Sequence, residues 1–500
     1  MFAHRIMGKP ESFIPLLEKA ALVAKLKAIL PDANVLSVDE DMKPYETDGL
    51  SVYRQIPLIV ALPETEEQVQ QVLKLCHAVN VPVVARGQGT GLSGGALPHA
   101  QGVLLSMTKF MRILSIDPVA RLARVQPGVR NLAISEAVAP YDLYYAPDPS
   151  SQIACSIGGN VAENSGGVHC LKYGLTVHNI HKIRAVTIEG ELLEIGSEGL
   201  DAPGYDLLAL LTGSEGKLAV TTEVTVKLLP KPQCAQAILA AFDDVEKAGA
   251  AVGNIIAGGI IPAGLEMMDK PAIRAAEDYV HANYPRDAEA ILLCESDGTT
   301  EEVADEMARM KEILEQSGAT DVRFSQDEAQ RLKFWAGRKA AFPAVGRISP
   351  DYYCIDGTIP RKTLPFVLRR IYELTEIAGL AVANVFHAGD GNLHPLILFD
   401  SAKQGDLQKT EKLASDILEL CVEVGGTITG EHGVGIEKIN QMCTQFTDNE
   451  RERFHGIKAA FDKKGLLNPG KAVPSLHRCA EYGRMHVHEG RVKFPDIPRF

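Results

Sequence analysis

From residue 56 onward the chain alternates between two hydrophobic periods. IPLIVAL (56–62) is a short apolar run that predicts a strand. Thr65 and Gln68 form a T-x-x-Q capping pattern, and Val69, Val72, Leu73 and Cys76 follow at helical spacing. VPVVAR (81–86) predicts the next strand, completing a β-α-β pattern. Upstream, PLLEKAALVAKLKAIL predicts a helix followed by polar residues to about 52. Short strands alternating with turns are expected in GVLLSM, RLARVQPGV, IRAVTIEGELLEI and LAVTTEVTVKLL, ending where Pro230 and Pro232 punctuate the chain. A second region carries strand-like AILAAF, AEAILLCE and LAVANVFHA between amphipathic helices such as EEVADEMARMKEILEQ and LPFVLRRIYELTEIA. That order predicts an α+β fold with antiparallel strands. The expected divisions are an N-terminal helical segment (1–52), a first domain (53–232), a second domain (233–464) and a C-terminal segment (465–500).

Composition narrows the function classes. The 500 residues carry a net charge of −13, and no basic run offers a surface for nucleic acid. The N-terminal residues lack the apolar core of a signal peptide, and the longest wholly apolar stretches, such as Leu207 to Leu211, are too short to span a bilayer. A soluble cytoplasmic protein is expected. Nine dispersed cysteines include no CxxC pair, so zinc ribbons and ferredoxin-type clusters are disfavoured and free, mostly buried thiols are expected. If the protein moves electrons, another cofactor carries them.

Glycine-rich loops supply the first chemical signal. RGQGTGLSGG (86–95) satisfies G-x-G-x-x-G after a strand, but Ala96, Leu97 and Pro98 follow where a dinucleotide-binding helix should open. The loop suits an anion-binding nest of backbone N–H groups, with Thr90 and Ser93 adding hydroxyls; a flexible turn is the alternative. Two more small-residue stretches, 147–174 and 212–224, point to one long phosphate-containing ligand threaded among the three.

The second signal is HAGDGNLHP (387–395). A two-residue Asp390-Gly391 turn would make His387 and His394 direct cross-strand partners on one face. GGTITGEHGVG (425–435) offers Glu431 and His432 nearby. Two imidazoles and a carboxylate leave metal coordination positions open for substrate, as in Zn and some Fe sites. Capping of a turn by the two histidines explains the spacing equally well, and a zinc hydrolase shares the ligand set.

Together, these loops resemble the flavin-binding domain of the vanillyl-alcohol oxidase (PCMH-type) superfamily. The resemblance implies a two-lobed FAD-binding domain with an α+β cap built on an antiparallel sheet. It implies that Arg86, Gly87, Gln88, Gly89, Thr90, Gly91 and Ser93 cradle the pyrophosphate, that Pro147, Asp148, Gly158, Gly159, Asn164 and Gly213 line flavin and ribose, and that Asn468 returns to the cofactor. Covalent members often carry a histidine in the glycine loop; none stands here, so FAD is expected to be non-covalent. H-x-G-D-G-N-x-H followed by G-E-H-G marks the active site of the superfamily's D-2-hydroxy-acid dehydrogenases and glycolate oxidases, and both motifs are present. WAGRKAAFPAVGRISPDYYCIDGTIPR (335–361) is similar to the FAD-linked subunits of bacterial glycolate oxidases.

These similarities imply a divalent metal (Zn, Fe or Mn) on His387, His394 and Glu431, His432 as general base and Arg338 as substrate-carboxylate clamp. A surface arginine is the plain alternative for Arg338. Asp390 and Asn392 are expected to shape the turn. Relatives acting on D-2-hydroxyglutarate tend to place a lysine where Tyr353 and Cys354 stand here, so a small mono-acid, glycolate or D-lactate, is the expected substrate. Electrons are expected to pass to an iron–sulfur partner and then quinone, beside a second FAD-domain subunit, with membrane association only through that complex. A catalytically silent FAD-binding subunit is a further alternative.

Overall fold

The computed structural model describes residues 17–199 and 204–474. The first region holds two sheets. In one, Val35–Leu36, Ile59–Ala61, Val103–Ser106 and Val83–Arg86 lie side by side in that order, and the last three run parallel. Helix Glu66–Ala78 crosses between Ile59–Ala61 and Val83–Arg86. Thr65 caps it by accepting from Gln68 N, while the Gln68 side chain reaches back to Glu64 N. Val69, Val72, Leu73 and Cys76 are buried against the sheet, as the periodicity required. The second sheet is antiparallel, ordered Ile113–Asp117, Leu122–Val125, Val220–Lys227, Ile180–Val186 and Leu192–Gly196. IRAVTIEGELLEI is therefore a hairpin, turned at Gly190 with φ +80°.

The cap is one seven-stranded antiparallel sheet, ordered Asp321–Phe324, Cys234–Phe242, Ala290–Gly298, Gly264–Asp269, Ala381–Phe386, Pro395–Phe399 and Asp351–Cys354. Helices cover both faces. Ile238, Ala240 and Phe242 enter one core, and Ala237, Leu239 and Ala241 the other, which is why this strand reads as an unbroken apolar run.

The expected divisions shift in detail. The segment before residue 52 supplies strand Val35–Leu36 to the first sheet and buries Leu22, Leu26 and Leu30 in its core. At the other end, helix Asp448–Phe461 already packs Ile457 and Phe461 on the core of the first region, before residue 464. Leu467 then bridges to Val83 in parallel. The cysteine expectation needs one correction. Seven described cysteines are free, but Cys443 is disulfide-bonded.

Candidate active site

Strands Ala381–Phe386 and Pro395–Phe399 pair Asn384 with Pro395, and the ladder continues to His387 opposite Asn392. The turn is thus a four-residue loop, 388–391, not the expected two-residue turn. Gly391 closes it with φ +84° and its N–H on His387 O. The register has slipped by two. Because side chains alternate with period two, an even slip keeps both imidazoles on one face. Their ring centroids lie 5.0 Å apart at 82°.

Glu431 completes the cluster from the loop 429–433. Its Oε1 stands 3.3 Å from His387 Nε2 and 3.4 Å from His394 Nε2. Its Oε2 accepts from the Gly166 N–H, in the first domain, at 2.9 Å. Burial alone would raise the Glu431 carboxyl, but hydrogen bonding to His387 and the neighbouring imidazoles hold it at about 2. His387, His394 and Glu431 offer donor atoms that lie mutually within 4.8 Å. His394 is 2% exposed and neither ring nitrogen completes a hydrogen bond, so its polar atoms fit a missing ligand partner.

Asp356, His394 and His432 also converge, but the Asp356 carboxylate is already saturated. It accepts from the N–H groups of Gly430, Glu431 and His432, from Thr429 Oγ1 and from Asn392 Nδ2, with Lys438 Nζ at 3.5 Å. Asp356 is the anion around which the Gly-Glu-His-Gly loop is wound. Asn392 consequently serves Asp356 as well as the turn, whereas Asp390 accepts from Asn392 N as an Asx turn should. His432 stacks on His394 with centroids 4.9 Å apart. Burial, outweighing Asp356, lowers its imidazole to about 4, so the ring is neutral.

Arg338 is buried, and its two terminal nitrogens complete no hydrogen bond. It is 1% exposed, and its Nε donates to Glu266 Oε2 at 2.8 Å. The other oxygen, Oε1, lies 2.8 Å from His387 Nδ1. Glu266, on strand Gly264–Asp269, was missed from sequence. The signal available was a single carboxylate inside an otherwise apolar run.

A cavity of about 480 Å³ joins these residues to the glycine loop, within the range of cofactor clefts. Arg86 through Gly91, Gly158 and Gly159 line one stretch; His394, Glu431 and His432 line the other end, with Lys339, Phe342 and Pro343 beside them. No helix follows the loop among residues 87–102, so the dinucleotide-fold motif is a decoy. Its glycines fit a ligand cradle. Gly89 has φ +71°, and a Cβ on Gly91 would meet nothing nearer than Glu163 Oε1 at 4.0 Å.

Six other expected cofactor residues make hydrogen bonds within the protein. Ser93 O accepts from Ile436 N and Glu437 N, Pro147 O from Asn131, and Asn164 Oδ1 from Val177 N. Asp148 turns to His169, Gly213 N bonds Val161 O, and Asn468 donates to Gly95 O and Glu215 O. His387 likewise stands behind Glu431. Glu163, unforeseen, does line the cavity; burial and the neighbouring Glu215 push its carboxyl well up.

Residues 57–196 match the FAD binding domain family, and residues 231–472 match the C-terminal domain of FAD linked oxidases. The chain is 65% identical to the glycolate oxidase subunit GlcD of Escherichia coli K12, over 97% of its length and 98% of that protein. The protein belongs to the FAD-linked oxidases. It is an FAD-dependent oxidoreductase, which removes the hydrolase alternative. A D-lactate dehydrogenase of Anaerostipes hadrus is 31% identical over 91% of this chain and 98% of its own. p-Cresol methylhydroxylase with substrate bound shares the fold of this oxidase, at a TM-score of 0.78 with 16% identity, covering 92% and 97% of the two chains. The expected α+β, PCMH-type architecture holds.

Proposed function

We propose that this enzyme oxidises a small α-hydroxy mono-acid, glycolate to glyoxylate or D-lactate to pyruvate, with FAD bound non-covalently and a divalent ion held by His387, His394 and Glu431. One observation carries this proposal: a single cavity runs from the glycine-loop backbone to His394, Glu431 and His432. FAD, held along the Arg86–Gly91 backbone, would supply the hydride acceptor for the substrate's α-hydrogen. A divalent ion on the two imidazoles and Glu431 would act as Lewis acid toward the substrate's hydroxyl and carboxylate oxygens. His432, neutral and lining the same end, accepts the hydroxyl proton. Lys339 supplies positive charge for the carboxylate there, in addition to the part expected of Arg338.

The relatives' names, a glycolate oxidase subunit and a D-lactate dehydrogenase, support this substrate class. Tyr353 and Cys354 are both buried and uncharged, which disfavours the second carboxylate of D-2-hydroxyglutarate. The word subunit in the first name supports a complex, and with no CxxC pair in this chain an iron–sulfur partner, beside a second FAD-domain subunit, is the proposed route to quinone. No helix among the described residues is long and apolar enough to cross a membrane, so inner-membrane association would be peripheral.

Anaerobic titration of the yellow protein tests the proposal. Glycolate or D-lactate should bleach the flavin, and L-lactate should not. Acid precipitation should release the chromophore. Faster reduction by D-2-hydroxyglutarate than by either mono-acid overturns the substrate assignment. No reduction by any of them leaves a silent subunit.

A further inference from the structure

We infer that Glu266 is a positioning residue that fixes the proton of His387 on Nδ1, and that Arg338 holds Glu266 in that task. The role rests on the divalent site proposed above. Glu266 is 1% exposed and stands between the two side chains. Its Oε1 is 2.8 Å from His387 Nδ1; its Oε2 is 2.8 Å from Arg338 Nε and 2.7 Å from an Arg338 terminal nitrogen.

An imidazole that binds a cation through Nε2 must carry its single proton on Nδ1. A carboxylate opposite Nδ1 imposes that tautomer, orients the ring and makes the other nitrogen more basic. His387 Nε2 is the atom 3.3 Å from Glu431 Oε1, so the ring is already turned as a ligand requires. Asp390 feels the charges of both Glu266 and Glu431, and a further uncompensated carboxylate in this pocket would compete for the ion. Arg338 answers that need. Its guanidinium neutralises Glu266 and occupies the oxygen that His387 does not.

A buried ion pair is a poor stabiliser compared with apolar residues of the same volume, because desolvation offsets the attraction. Arg338 sits on the apolar stripe of helix Glu328–Lys339 with Phe334 and Trp335, where a leucine or methionine would pack at less cost. Retention of charge there is accounted for by the imidazole it serves. His387 is held from behind, while Glu431 is held from the flavin side by Gly166.

The test uses FAD-loaded protein and measures Zn²⁺ and Mn²⁺ affinity by chelator competition. Glu266→Ala should weaken binding roughly 10–100-fold with flavin absorbance unchanged. Glu266→Gln, which keeps an acceptor oxygen, should fall between that variant and wild type. Affinity within twofold of wild type for both variants, with only thermal stability lowered, shows a purely structural pair and overturns the role. A second measurement needs no variant to fold well at position 266. ¹⁵N-histidine spectra of wild type, with His387 assigned by difference from His387→Gln, should show Nδ1 protonated. A bare Nδ1 overturns the role. If wild type binds neither ion, the divalent site itself falls, and the tautomer spectrum still decides what Glu266 does.

Discussion

Arg338 and Lys339 are neighbours on one helix, and their chemistry diverges because successive helical residues point about 100° apart. Arg338 follows Phe334 and Trp335 at spacings of four and three, which places it on the buried stripe. That spacing is visible in the sequence. Lys339 is exposed and lines the cavity beside Phe342, Pro343, His394 and His432. A solvent-screened charge of this kind contributes modestly. Lys339→Met should raise KM for glycolate roughly fivefold, about 1 kcal/mol, with kcat within about twofold of wild type. Steady-state kinetics with an artificial electron acceptor measure both, and an unchanged KM removes Lys339 from substrate recognition. The imidazoles and Glu431 were legible because their motifs are local. Asp356 was not, since its donors come from loops 36 and more than 70 positions away.

At the scale of elements, the site depends on alternation more than on turn type. The sequence suggested the shortest hairpin, and the chain uses a four-residue loop; the two imidazoles still converge because the register error was even. Strand Gly264–Asp269 was not foreseen, because Glu266 and Asp269 interrupt an apolar run that would otherwise read as buried. The loop carrying Gly166 offers the sharper experiment. A Cβ on Gly166 would lie 2.6 Å from Glu431 Oε2 and 3.0 Å from Leu175 Cδ2, and Gly166 N donates to that same oxygen. Gly166→Ala should therefore push Glu431 out of the ligand set. Metal content after exhaustive dialysis should fall at least tenfold while FAD content stays near one per chain, because Gly166 is not among the glycines lining the cavity. Metal retention equal to wild type would show that Glu431 tolerates the displacement or is not a ligand.

The whole molecule closes around this cavity by contacts that join flavin domain to cap. His169 is the central one. Its Nδ1 lies 2.9 Å from Asp148 on its own side, and its Nε2 lies 3.3 Å from Glu295 on the cap. Arg331 at 2.7 Å and Trp335 also hold Glu295, while Lys172 and Tyr173 bind Asp297 two residues further along the same strand. No local pattern could announce these pairs, because His169 and Glu295 are 126 positions apart. Burial alone would lower the His169 imidazole, but Asp148 and then Glu295 outweigh it and raise it to about 10; both carboxylates are correspondingly held low. The unfolded chain releases this proton near 6.5, so the folded state binds it more tightly. The stabilisation is complete below pH 6.5 and declines as pH rises through about 10, by at most about 1.4 kcal/mol per pH unit. Solvent reaches about a quarter of the side chain, which reduces that figure. His169→Gln keeps the size and a donor but cannot hold the charge. Melting curves at pH 6, 8 and 10 should show wild type well above the variant at pH 6 and the two converging by pH 10. A constant gap across that range would mean that His169 joins the two domains as a neutral ring, with packing and not charge holding the cap against the flavin side.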